Sequence, residues 1–254
     1  MQSKKKSRFV KLNNAGTALI TAIVVVAFVS ILATTILYVA GRNYYIKMTD
    51  LRTKQSFYEA ETGLEAVKAA LVVEVSNAST VAYQYVMEHH AGLDETAMEA
   101  VFQEQFFNAL LESWNKDVRT TCGLNPTDPI TAENYLQHIR SSAGALYNTA
   151  PNKLWLEAAY PVPGSIAWEE TIGGDGVTPI KNEYATLYGV QLQYTSAEGY
   201  TTIISTDYVI FPPKINWTFE EETNEADPGA PAPDSVVKEI NLSECVQYSN
   251  WVKK

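Results

Sequence analysis

Hydrophobic and polar positions divide the chain into three regimes. From Thr17 to Gly41 the sequence is apolar on every side, and no Lys, Arg, Asp or Glu lies between Lys11 and Arg42. The 24 residues from Thr17 to Ala40 make roughly 36 Å of helix at about 1.5 Å per residue. That is enough to cross a hydrocarbon core of about 30 Å. A buried helix of a soluble protein would normally show a polar face within this length. The pattern therefore predicts a membrane-spanning helix over 17–41.

Beyond Arg42 the apolar positions thin to every third or fourth residue: Phe57, Ala60, Leu64, Val67 and Leu71. This is the stripe of a helix with one buried face. Tyr44, Met48 and Leu51 carry the spacing upstream, so 42–76 reads as a continuation of the first helix, with Gly41 and Gly63 as its weakest points. A separate helical block follows over 77–152. Tyr83 to His90 is helical and ends at Ala91-Gly92. A helix entered at Leu93-Asp94, with Thr96 and Glu99 as a capping box, carries Val101, Phe102, Phe106, Ala109, Leu110 and Trp114 as far as Asn115. After the turn-rich Cys122–Pro129, a short helix spans Thr131 to Ile139.

From Lys153 the period becomes two. Leu154, Leu156 and Ala158 mark a short strand, and Leu187–Tyr194 and Tyr200–Phe211 flank a hairpin turn at Ser196–Gly199. Ile215–Phe219, Val236–Leu242 and Val246–Val252 are further strand candidates, interrupted by an acidic, Pro-rich loop over 220–235. The fold class expected is α+β: a long N-terminal helix packed on a head with inserted helices and a mostly antiparallel sheet over 153–254.

Charge sets the orientation. Five basic residues and no acidic one precede the apolar span, which keeps the amino terminus in the cytoplasm and sends the remainder across. That remainder holds 14 basic against 29 acidic residues, a net of −15, which predicts no direct binding of nucleic acid. The two cysteines, Cys122 and Cys245, admit one long-range disulfide or two unpaired structural thiols.

The order of basic leader, Ala15-Gly16 and uncharged helix differs from a secretory signal, whose cleavage site follows its apolar core. It resembles the type IV filament superfamily, the type IV pilins and the pseudopilins of type II secretion. The resemblance rests on the leader over 1–16, on Thr17-Ala-Leu-Ile-Thr-Ala-Ile-Val-Val-Val, and on Ser56-Phe-Tyr-Glu-Ala-Glu-Thr-Gly-Leu-Glu65. It implies cleavage after Gly16 by a prepilin peptidase and methylation of the new amino terminus at Thr17. It further implies assembly through Ala18, Leu19, Ile20 and Thr21 with other pilin or pseudopilin subunits at an inner-membrane platform. Membrane lipid is the partner before assembly, and the cell surface or a pilus or pseudopilus is the destination. Small residues Ala18, Ala22, Ala27, Ser30, Ala33 and Thr34 would let such helices approach closely.

Two positions depart from the family. Thr17 stands where Phe is usual, and Thr21 where Glu is usual. A hydroxyl cannot neutralise a neighbouring terminal amine, but Thr21 can bond back to the Thr17 carbonyl. Tip-type pseudopilins resemble this chain in lacking that Glu and in inserting helices, here within 77–142, so the resemblance implies a tip or initiating subunit. The alternative is an uncleaved, signal-anchored extracellular domain that binds a ligand or senses one.

Catalytic signatures are absent. No phosphate-binding G-x-x-x-x-G-K-[ST] or G-x-G-x-x-G, no G-x-S-x-G and no H-E-x-x-H occurs. The chain reads as non-enzymatic, with no cofactor. His89 and His90 are adjacent and diverge on a helix, and with His138 they read as solvated residues rather than metal ligands. Calcium is the one ion considered: Gly173–Gly176 and the loop with Glu220, Glu221, Glu222, Glu225 and Asp227 are rich in oxygen, and some pseudopilins bind calcium in this region. Neither loop matches D-x-[DN]-x-[DN]-G, so a turn and a solvated acidic loop are favoured. Trp155, Trp168, Trp217 and Trp251 read as packing aromatics ahead of a carbohydrate surface.

Overall fold

The computed structural model describes residues 14–157, 164–172, 179–215, 217 and 242–253. The leader over 1–13, the Gly173–Gly176 loop, the acidic loop over 220–235 and the strand expected over 236–241 lie outside the described residues. Two compact units divide the chain, Met1–Arg52 and Thr53–Lys254.

One helix, α1, runs unbroken from Asn14 to His89. Its residues 16–47 are exposed all round. In the second unit the same helix buries a stripe of Ala60, Leu64, Val67, Leu71, Val75, Ala78, Ala82 and Val86, each at most 1% exposed. The steps of three and four are those of one helix face. This corrects the separate helix expected over Tyr83–His90. Ala78, Ala82 and Val86 extend the stripe, and Ser79 and Thr80 donate back to the Val75 and Ser76 carbonyls instead of breaking the helix. As expected, α1 stops just before Gly92, which takes a left-handed φ of 85°.

Helix α2, Glu95–Cys122, runs seven residues past Asn115 because Val118 continues its buried face. Its N-cap is Asp94, whose carboxylate accepts from the Ala97 amide at 2.8 Å, and not Thr96 as expected. The left-handed Gly123 closes its far end. Helix α3, Ala132–Ala143, starts at a capping box between Thr131 and Asn134. A single 3₁₀ turn, Ala145–Tyr147, leads towards the sheet.

The main sheet is antiparallel. Its order is β1 (Lys153–Leu156), β5 (Ala185–Thr195), β6 (Thr201–Ile210) and β7 (Val246–Lys253), and β2 (Ile166–Ala167) also pairs with β5. The expected hairpin around Ser196–Gly199 is present, with Thr195 opposite Thr201. Strands β3 (Glu170–Ile172) and β4 (Pro179–Lys181) form a separate ribbon. Ile215 is irregular, and Leu242 belongs to a 3₁₀ turn, Leu242–Cys245, rather than to a strand. Ala158 lies outside the described residues.

Leu187, Val190, Leu192, Ile204, Tyr208 and Ile210 from the sheet share one core with the α1 stripe and with Phe102, Phe106 and Leu110 of α2. Tyr208 donates its hydroxyl to the Leu64 carbonyl at 2.9 Å. Tyr147 donates to the carbonyl of Glu59. Gly63 lies between those two carbonyls. A Cβ built there would meet Leu192 and come within 2.6 Å of the Tyr147 ring. The position expected as a weak point is therefore one where α1 packs tightly on the sheet and the 3₁₀ turn.

Candidate functional site

The first site residues to place are those at the start of the apolar helix. Gly16 and Thr17 lie within the first two turns of α1, and Ala18, Leu19, Ile20 and Thr21 follow on its exposed surface. Space around Gly16 is open, with nothing within 4 Å of a Cβ built on it. The Thr21 hydroxyl donates to the Thr17 carbonyl at 2.9 Å, the bond expected from its position. Ser30, Thr34 and Thr35 do the same to Val26, Ser30 and Ile31 at 2.7–2.8 Å. These four hydroxyls are thus satisfied inside their own helix, as a lipid environment requires.

The helix contains an 18-residue window of mean hydropathy 2.7 with none of it buried. It is long and apolar enough to cross a membrane. Tyr38, Tyr44 and Tyr45, each 64–69% exposed, cluster around Arg42 where the apolar stretch ends. Such amphipathic rings suit a headgroup boundary.

The second group of chemical side chains lies in the head, where three helices meet. Glu74 stands on the buried face of α1, one turn after Leu71, and is 5% exposed. Ser113 of α2 donates its hydroxyl to Glu74 Oε2 at 2.5 Å, and Asp117, one turn on, also hydrogen-bonds the Glu74 carboxyl. Burial, with the Asp117 charge added, pushes the Glu74 carboxyl up to about 7. On α3, His138 is 8% exposed rather than solvated. Its Nδ1 pairs with the Thr121 hydroxyl at 3.0 Å and its ring meets Trp114 edge-on. Burial pushes this imidazole down, against the opposing pull of Asp117.

Sequence reasoning missed this cluster. The available signal was Glu74 itself, a carboxylate at a core position of the heptad-like run Leu71, Glu74, Val75, Ala78.

The cysteines do not come together as a bridge. Cys122, half-buried at the end of α2, donates to the Asn134 carbonyl of α3 at 3.5 Å. Cys245 is a separate buried thiol at the entry to β7. Each is held by its own element. His89 and His90 cap α1 by bonding to the Tyr85 and Met87 carbonyls. No group of three or more His, Cys, Asp or Glu among the described residues is arranged to hold a metal ion, and both candidate calcium loops lie outside those residues.

The tryptophans divide. Trp168 stacks on Phe107 under the Lys181 ammonium, and Trp217 is buried between Tyr83 and Phe102 with its indole N–H on Glu99. Trp155 is half-buried beside Lys153. Trp251 is 42% exposed against Phe57.

Searches against protein-family models, curated proteins and solved structures give no match for this chain.

Proposed function

We propose that this chain is a structural, non-enzymatic subunit of a type IV pilus or type II secretion-like pseudopilus, of the minor, tip or initiating type. Its leader is cleaved after Gly16 by a prepilin peptidase, and the new amino terminus at Thr17 is methylated. The chain waits in the cytoplasmic membrane as a single span with its amino terminus inside. It then joins other pilin or pseudopilin subunits through Ala18–Thr21 and the apolar helix, driven by an inner-membrane assembly platform.

One observation carries this reading: α1 continues without interruption from a fully exposed apolar stretch into a stripe that forms the core of the head. A simple membrane anchor needs no such continuity, since a flexible tether would hold a soluble domain equally well. An assembly helix does, because pulling it from lipid must move the head with it. Thr21, bonded to its own backbone, presents no charge that a neighbour must balance, which supports a terminal position in the filament.

The test is the amino terminus itself. Full-length protein is expressed with and without an active prepilin peptidase, and its terminus is read by intact mass and peptide sequencing. A product beginning at methylated Thr17, and abolished by Gly16→Arg, is expected. A chain still beginning near Met1 beside an active peptidase would sink the proposal and leave an uncleaved, anchored ligand-binding domain in its place.

A further inference from the structure

Between α1 and α2, two carboxyl groups meet inside the helical layer of the head. Glu74 occupies a core position, 5% exposed, with the Ser113 hydroxyl at 2.5 Å and Asp117 in hydrogen-bonding contact. We propose that Glu74 and Asp117 hold one proton between them, and that this shared proton latches α2 to α1, the latch loosening as the proton is lost towards alkaline pH.

The argument is one of hydrogen-bond inventory and charge. An ionised carboxylate only accepts, and two of them in contact repel. A protonated Glu74 accepts from Ser113 and at the same time donates to Asp117, so every group in the contact is satisfied. Among the described residues no cation forms a salt bridge with either carboxyl. On α2, Arg119 is committed to the Asn125 and Asp128 carbonyls, and Lys116 is exposed. On α1, Lys68 lies over the Tyr248 ring. From α3 the facing group is His138, whose imidazole burial pushes down, away from the charged form. An unpaired buried charge at this interface would be costly, so the proton is the natural counterion.

The sign follows from the direction of each shift. The Glu74 carboxyl is raised in the fold from 4.5 to about 7. Its contribution to stability is complete below its unfolded value and is lost as pH rises through about 7. His138 is lowered from 6.5, so its contribution is complete above that value and is lost as pH falls. The two slopes oppose each other near neutrality. Only a comparison that removes one of them exposes the latch.

The experiment uses the full chain in detergent micelles and does not depend on the filament reading. Infrared titration should show the carbonyl band of a protonated carboxylic acid persisting to about pH 7 in the wild type and missing in Glu74→Gln. The difference in urea midpoint between wild type and Glu74→Gln should shrink from pH 5 to pH 8. Over the same range, amide exchange in α2, corrected for its intrinsic rate, should quicken in the wild type alone. A protonated-acid band already gone at pH 5, or a midpoint difference equal at both pH values, overturns the proposal. Should Glu74→Gln fail to fold, Asp117→Asn replaces it: removal of the neighbouring charge must move loss of the band to lower pH, and an unmoved band is equally fatal.

Discussion

The Asp207 carboxylate accepts the backbone N–H of Gly189 at 2.7 Å across the β5–β6 pair, and its other oxygen accepts from the Asn250 side chain at 2.8 Å on β7. Both partners sit at irregularities of the sheet. The β5–β6 register shifts between Leu187 and Val190, and the β6–β7 register between Ser205 and Asp207. Gly189 and Asn250 take positive φ values of 67° and 50° at these bulges. One buried side chain thus bridges two bulges, taking a backbone amide at one and a side-chain amide at the other.

Asp207→Ala should lower stability by about 2–3 kcal/mol, since it leaves the buried Gly189 amide without an acceptor. Asn250→Gly keeps the left-handed backbone and loses only one bond, so its loss should be nearer 1 kcal/mol. Urea unfolding of the two variants measures both. Equal losses would show that the two bulges are not held by the same carboxylate.

Gly63→Ala should destabilise by about 1–3 kcal/mol, although alanine is the better helix former. The Tyr147 ring that the new methyl would meet cannot simply swing aside, because its hydroxyl is fixed on the Glu59 carbonyl. Gly41, also helical, has nothing within 4 Å of a Cβ. Gly41→Ala should leave the unfolding midpoint of the head unchanged. A neutral Gly63→Ala would mean that the α1–sheet contact is looser than this packing.

At the start of α2, Asp94→Ala should cost about 1 kcal/mol through loss of the N-cap bond to Ala97. Thr96→Ala should be close to silent. Thermal unfolding separates the two readings of this helix start, and the reverse ranking would restore Thr96 as the cap.

Cys122 and Cys245 should titrate as two thiols after denaturation. In the folded protein Cys122 should alkylate first, and Cys245 about tenfold or more slowly, because burial pushes its thiol up and shields it. Absence of free thiol in the denatured chain would instead establish the bridge.

Much of the fold was legible in periodicity. The run of Ala60, Leu64, Val67 and Leu71 is the buried face of α1, and the Ser196–Gly199 turn joins β5 to β6. What failed was punctuation. The boundary expected between 76 and 77 falls inside α1, where Ser79 and Thr80 bond back to the Val75 and Ser76 carbonyls. Gly63 read as flexibility because its role depends on Tyr147 and Leu192, more than eighty residues away in sequence, which no local pattern reveals. The Glu74–Asp117 contact was hidden for the same reason: a single carboxylate on a stripe shows its burial only when its partner helix is in place.

The bond from Tyr208 to the Leu64 carbonyl has a consequence for biosynthesis. Its two ends are 144 residues apart. At about 5–20 residues per second, the ribosome takes on the order of ten seconds to supply the sheet after the α1 stripe has been made. During that interval Leu64, Val67 and Leu71 are apolar surface without their final cover, in a chain whose first helix is itself long and apolar enough to cross a membrane. Nascent head segments would then be clients for holdase chaperones, and the stretch from Ala60 to Val86 is where such a chaperone should bind first.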